Sequence, residues 1–287
     1  MNHMSQTTLF EPTEEDLYQY AVSRPLGKKI DEAIKTIRLY EETALKINPK
    51  GYYVAFSGGK DSIVLEMLYK MAGVKYDPWY NNTTIDPPEL IQFIRKHYSE
   101  VDWNHPKNSL MYEIANHSNG LPTHKARWCC EIFKEQGGKG FFKSIGVRGP
   151  ESPRRKGLWR VMNNHKKDKT PILCPIVYWT DDDIWTFIHK EKMAYCCLYD
   201  EGYSRLGCIG CPLSGAKQQR KDFERWPKFE NVWKKGAMRY WQKFKGVPTL
   251  RGKPRWIERF ETFEEFWNWW LRTEEVTDQP DCQLWLW

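Results

Sequence analysis

Residues 57–62 read Ser-Gly-Gly-Lys-Asp-Ser, between an apolar run, Tyr52 to Phe56, and a second run in which Ile63, Val64, Met67 and Leu68 fall at helical spacing. The first run has the length and composition of a strand, so the hexapeptide belongs at a strand-to-helix turn. Glycines at 58 and 59 permit positive φ and close backbone approach, and the helix start behind them offers N–H groups to an anion. Ser57, Gly58, Gly59 and Ser62 are therefore candidate cradle residues for a phosphate. Lys60 adds a point charge, and Asp61 can serve a Mg²⁺ ion or orient Ser62. A Walker loop would need Gly, four residues, then Gly-Lys-Ser/Thr, and this chain does not have it. Further along, Arg148, Arg154 and Arg155 stand near a predicted strand end, where guanidinium groups can meet phosphate or sulfate oxygens bidentately.

The cysteines form a second constellation. Cys129 and Cys130 are adjacent in RWCCEIFKE, and Cys208-Ile209-Gly210-Cys211 follows in LGCIGCPLSG. Four thiolates suit a zinc site or a [4Fe-4S] cluster, and spacing alone does not choose. Adjacent cysteines are awkward on one tetrahedral zinc, whereas a cubane offers neighbouring iron corners, which puts iron–sulfur ahead of zinc. Cys196 and Cys197 are read as packing residues, because free cysteines are among the most buried side chains. Cys282, in PDCQLWLW, has no glycine for mobility and no neighbouring His or Arg to lower its pKa.

The elements that must position these groups alternate. Residues 13–47 read as largely helical, and Asn48-Pro49-Lys50-Gly51 hands over to the strand at 52. A helix over 62–71, a strand over 74–80, a helix from Pro87-Pro88 to Tyr98, a strand over 141–147 and an apolar stretch over 171–175 follow. Thr180 with Asp181, Asp182 and Asp183 caps a short helix, and Trp179, Trp185 and these acids read as a packed helix start rather than a site. Strands alternating with helices predict an α/β fold with a parallel sheet and crossover helices. The expected organisation is an N-terminal helical segment over 1–48, a nucleotide-binding domain over 49–195, and a helical, cysteine-bearing module over 196–287.

Composition bounds the partners. With 287 residues, 28% charged and 40% hydrophobic, the chain has the make-up of a globular protein. No apolar run approaches the roughly 20 residues of a membrane span. The first residues lack the basic-then-apolar order of a signal peptide. The expected location is the cytoplasm, where cysteines are reduced, metal-bound or catalytic. The net charge of +7 is concentrated: residues 217–259 carry 14 Lys or Arg against four acids, interleaved with Trp226, Trp233, Trp241 and Trp256. Such a segment suits DNA or RNA, although the tryptophans taken alone read as the core of an amphipathic helix pair.

In its strand–turn–helix setting the hexapeptide resembles the signature of the PP-loop ATP pyrophosphatases, which grip the β,γ-pyrophosphate of ATP and cleave at the α-phosphate. The Cys-Cys…Cys-x-x-Cys arrangement resembles the [4Fe-4S] site of the adenylyl-sulfate (APS) reductases. GVRGPESPRRK at 146–156, PIVYWTDDDIWTFI at 175–188 and LYDEGYSRLGCIGCP at 198–212 extend the likeness to the phosphoadenylyl-sulfate (PAPS) reductase family, over about residues 50–215. The resemblance implies a PP-loop, adenine nucleotide alpha-hydrolase-like domain that binds ATP, APS or PAPS with Mg²⁺. It implies Lys60, Asp61 and Arg148 as catalytic residues, Ser57 to Ser62 with Arg148, Arg154 and Arg155 as nucleotide ligands, and Cys129, Cys130, Cys208 and Cys211 around the cluster.

Two departures matter. Asn82-Thr83-Thr84 stands where the family often has Asp-Thr-Gly, and PDCQLWLW stands where the reductases carry a mobile tail resembling Glu-Cys-Gly-Leu-His. The chain is therefore expected to be an ATP pyrophosphatase that adenylates an acceptor for sulfur transfer. In this it is similar to the ATP-pyrophosphatase component of DNA phosphorothioation systems and to phage and prophage PAPS-reductase-like proteins. A nucleic acid would be the acceptor, and a cysteine desulfurase or another donor would supply sulfur. The alternatives are an APS or PAPS reductase attacking through Cys282, and a non-catalytic, ATP-gated nucleic-acid-binding subunit.

Overall fold

The computed structural model describes residues 12–165 and 169–271. Three helices lead in: α1 (Glu14–Ser23), α2 (Leu26–Leu39) and α3 (Glu41–Ile47). Thr13 and Asp16 close a capping box at the start of α1, and Pro25 forces the break before α2. Ile30, Ala33 and Ile37 form the buried stripe of α2.

The sheet strands are β1 (Tyr52–Phe56), β2 (Tyr76–Asn81), β3 (Asp102–Asn104), β4 (Lys143–Ser144), β5 (Met162–Asn164) and β6 (Pro171–Leu173), in the order β3-β2-β1-β4-β6-β5. All neighbours run parallel except β5 and β6, which pair antiparallel with Met162 opposite Leu173. Between them lie α4 (Lys60–Ala72), α5 (Pro88–His97), α6 (Leu110–Asn116), α7 (Trp128–Cys130) and α8 (Pro153–Leu158), and α9 (Asp181–Lys190) follows β6. A π-helical turn, Glu131–Glu135, extends α7. Gly73, at φ 65°, ends α4 by donating its N–H to the carbonyls of Tyr69 and Lys70.

β1 is buried along almost its whole length, as expected of a central parallel strand covered on both faces. The chain leaves β1 towards β2 on one side and returns through β4 on the other. The crevice beyond the carboxyl ends of β1 and β4 is therefore the switch point at which open α/β sheets take ligands. The loop 57–62 and the run Gly146 to Arg148 both emerge there.

The strand expected over 141–147 contracts to two paired residues, Lys143–Ser144; Ile145 still donates its N–H to the Leu173 carbonyl at 3.0 Å before the chain runs on to Arg148. β3 and β5, three residues each, were not legible as strands. After residue 196 the chain is helical: α10 (Ala216–Arg225), α11 (Pro227–Phe244) and α12 (Phe263–Leu271). One apolar cluster runs without interruption from Ile30 to Leu271, so these helices share the core of the sheet domain.

Candidate active site

The cradle is built by backbone and serines. Gly58 sits at φ 71°, and a Cβ there would come within 2.7–2.8 Å of side-chain carbons of Leu90 and Ile94, so no side chain fits. Ser62 Oγ accepts the Ser57 N–H at 3.1 Å and donates to the Gly59 carbonyl at 2.8 Å, drawing the loop closed over the first turn of α4. Gly59 is the N-cap and offers no side chain, so the positive end of α4 faces the crevice.

Two buried cations and two carboxylates stand at the neck. Lys60 Nζ donates to the Ser204 carbonyl at 3.1 Å and lies 3.2 Å from Asp181 and 3.9 Å from Asp61. Arg148 Nε donates to Asp61 Oδ1 at 2.6 Å, one terminal nitrogen to Asp181 Oδ1 at 2.8 Å, and the other to the Trp179 carbonyl at 3.4 Å. Thr180 is the N-cap of α9, as expected, and closes a capping box with Asp183, while Trp179 is buried. Asp181 departs from the packed-helix-start reading. It turns back to bridge Lys60 and Arg148.

Arg155, half-buried and bonded to Glu151, has its pKa pushed down to about 10, first by burial and then by the neighbouring Arg205, with smaller effects from Arg148 and Arg127. Four guanidinium groups thus crowd one region, a repulsion that a bound anion would relieve. Arg154 is exposed on α8. Arg127 and Arg205 escaped sequence reading because neither adjoins the 146–156 run. Tyr199 also escaped it, and its hydroxyl accepts the Lys60 N–H at 2.8 Å.

The four motif cysteines converge from two directions. The Cys208–Cys211 turn is fastened by Gly210 N–H to Asp222 at 3.0 Å, by Gln219 to the Gly210 carbonyl at 3.0 Å, and by Trp233 Nε1 to the Ile209 carbonyl at 3.0 Å. The Asn82–Asp86 loop meets it: Ile209 N–H donates to the Ile85 carbonyl at 2.9 Å, and Cys208 Sγ lies 3.5 Å from Thr83 Oγ1. Cys129 is held as a thiol by its hydrogen bond to Cys130, by burial, and by the charges of Cys130, Cys208 and Cys211. Cys130 is favoured as a thiolate by that hydrogen bond and by Lys134 and Arg127, one Arg127 nitrogen lying 3.6 Å from its sulfur.

Four mutually sensing sulfurs beside two cations fit a thiolate-bound group in donor chemistry. In the geometry described, all four are free cysteines, and among the described residues no three His, Cys, Asp or Glu are drawn together as metal ligands. Cys196 is buried in the core as expected of a packing residue, while Cys197 is exposed. Cys282 lies outside the described residues.

In the basic segment the tryptophans pack inward. Trp226 and Trp233 are buried, and Trp241 and Trp256 lie half-buried against Phe266. Part of the charge is consumed locally: Arg225 pairs with Glu89 and Glu201, Lys234 with Glu264, and Lys245 with Glu258. Lys217, Arg220 and Lys221 are exposed and line an open depression on α10. Among the described residues, no helix is long and apolar enough to cross a membrane.

Residues 51–214 match the phosphoadenosine phosphosulfate reductase domain family. The chain belongs to that family. Among its relatives, an uncharacterized protein of Methanocaldococcus jannaschii is 28% identical over 208 residues, covering 67% of this chain and 43% of its own length. Adenosine 5'-phosphosulfate reductase 2 of Bacillus subtilis is 23% identical over 240 residues, covering 78% of this chain and 94% of its own. The chain spans about half the length of two curated relatives, both uncharacterized proteins of M. jannaschii. Among solved structures, the PAPS reductase of Candida auris in complex with phosphate aligns with a TM-score of 0.46 at 16% identity, over 69% of this chain and 97% of that one. The U34-tRNA thiolase NcsA of Methanococcus maripaludis, solved with its [4Fe-4S] cluster, aligns with a TM-score of 0.41 at 14% identity, over 75% and 78%.

Proposed function

We propose that this member of the family is a PP-loop ATP pyrophosphatase that adenylates an acceptor oxygen so that sulfur can replace it. The observation that carries the reading is the cradle: Lys60 and the N-terminus of α4 converge on the switch point beside the Arg148–Asp61 pair. This is the arrangement that a departing pyrophosphate requires. The acceptor oxygen attacks the α-phosphorus, and the bond from that phosphorus to the α,β-bridging oxygen breaks. The electron pair leaves with pyrophosphate, whose growing charge Lys60 and the loop N–H groups stabilise. A sulfur donor, such as a persulfide carried by a cysteine desulfurase, then attacks with its terminal sulfur and expels AMP, and a thiol reductant cleaves the resulting S–S bond so that the sulfur stays on the acceptor and the carrier leaves as a thiol. Asp61, with one oxygen already committed to Arg148, is the residue to hold Mg²⁺ through the other. Cys129, Cys130, Cys208 and Cys211 would hold a [4Fe-4S] cluster, or zinc as the lesser alternative, and an iron–sulfur cluster would supply a redox-active centre near the crevice. The acceptor is a nucleic acid, as in DNA phosphorothioation, and it is met by the exposed cations of 217–259.

A second reading, release of sulfite from APS or PAPS, is favoured by the B. subtilis APS reductase, 94% of whose length aligns with this chain. Anaerobic assay of ATP with Mg²⁺, with and without DNA, separates the two. Pyrophosphate and AMP that vanish in Ser57→Ala and persist in Cys282→Ser support adenylation. Sulfite formed from APS or PAPS with a dithiol, and lost in Cys282→Ser, would replace this reading with the reductase.

A further inference from the structure

The Lys60 amide is the first helical N–H of α4, a donor that a phosphate cradle would ordinarily present to its ligand. Here it points instead into the Tyr199 hydroxyl, at 2.8 Å. A phenol oxygen that accepts one hydrogen bond still carries a proton to give. Among the described residues, no acceptor for that proton is hydrogen-bonded to Tyr199.

The ring is fixed where it stands. Trp185 meets it edge-on at 5.2 Å, Tyr195 packs at 6.4 Å, and Lys60 Nζ lies 5.7 Å from its centroid. The bare Gly59 leaves room for it, since a Cβ there would lie 3.3 Å from the hydroxyl. The same short segment supplies the Ser204 carbonyl that receives Lys60 Nζ, so residues 199–204 grip both ends of Lys60.

We propose that Tyr199 is a phosphate-binding residue, which takes up the Lys60 N–H and presents its own O–H to a phosphoryl oxygen in the cradle. The inference rests on the cradle reading above and adds to it a side-chain donor from outside the loop. Burial, reinforced by the Asp61 and Asp181 carboxylates, holds the phenol in its protonated, donating form. A donor clamped by aromatic neighbours needs no reorganisation when the anion arrives.

The test is calorimetric titration of the full chain with magnesium pyrophosphate, and separately with adenosine. Tyr199→Phe keeps the ring and its contacts, and cooperative thermal unfolding verifies the fold. Its expected result is pyrophosphate binding weakened by about 10- to 100-fold, the range for one hydrogen bond to a charged group, with adenosine binding unchanged. Trp185→Phe, which loosens the ring and keeps the hydroxyl, is expected to weaken pyrophosphate binding by a smaller factor. Equal binding in Tyr199→Phe would overturn the proposal. Tighter binding in either variant would overturn it too, and would make the hydroxyl a block on the cradle. Absence of pyrophosphate binding in the unaltered chain would overturn the cradle reading itself, and this inference with it.

Discussion

Arg148 carries more of the site than its place in a loop conveys. Its guanidinium is 3% exposed and divides its donors between Asp61, Asp181 and the Trp179 carbonyl. Removing it would leave two carboxylates facing each other with Lys60 alone between them. Loss of one partner from a fully buried pair costs about 3–5 kcal/mol; Asp181 is 59% exposed here and water screens part of the charge. Arg148→Met is accordingly expected to lower the unfolding free energy by about 2–3 kcal/mol in urea titration, and to abolish nucleotide turnover. Glu66, on the buried face of α4, makes a different case. Its carboxyl is pushed above the ordinary carboxylate range by burial, only partly offset by the Tyr76 hydroxyl at 2.7 Å and by Lys70 at 3.0 Å. A raised folded-state value means that the native chain holds a proton the unfolded chain has already lost. The contribution of Glu66 to stability is therefore complete below the unfolded pKa and falls as pH rises through the folded one. Urea midpoints measured upward from about pH 4 should show that decline, and Glu66→Gln should flatten it.

At the scale of elements, the strand–turn–helix around 57–62 and the cap of α9 were legible because both are local. An apolar run, two glycines and an N-cap residue act within a turn of chain. β4 was over-read because the apolar character of 141–147 serves two purposes, two residues of pairing and then the lead into Arg148. β3 and β5 are too short to show a period. The tryptophans of 217–259 were ambiguous for a different reason: the same amphipathic helix can turn its indoles to a base or to a core, and only tertiary contacts decide. Trp233 settles inside, and its indole N–H fastens the Cys208–Cys211 turn through the Ile209 carbonyl. Trp233→Ala should thus cost about 3–5 kcal/mol by thermal or urea unfolding. Gly210→Ala tests the turn more locally. At φ 71°, with a Cβ 2.3 Å from the Phe223 ring, the added methyl must push the two cysteines apart. Protein prepared without oxygen should then retain less iron, or less zinc, per chain than the unaltered protein.

For the whole molecule, the excess of positive charge is the property that outlasts every local pairing. Ion pairs to Glu89, Glu201, Glu264 and Glu258 neutralise several cations of the 217–259 segment. Lys217, Arg220 and Lys221 instead lie exposed on one stretch of α10, directly after the cysteine turn, with Glu224 the one acid among the residues lining their depression. Composition alone could register the excess but not its sorting into paired and exposed groups, which depends on how α10 and α11 roll against the core. If these three cations meet backbone phosphates, each releases condensed counterions on binding. The logarithm of the association constant for duplex DNA should then fall with the logarithm of salt concentration by about 0.9 per contact. Replacing all three by alanine should reduce that slope by about 2.7 and weaken binding uniformly across sequences, while leaving pyrophosphate binding in the cradle unchanged. Fluorescence anisotropy of a labelled duplex over a salt series reads the slope directly. An unchanged slope in the triple variant would move the nucleic-acid contact off α10.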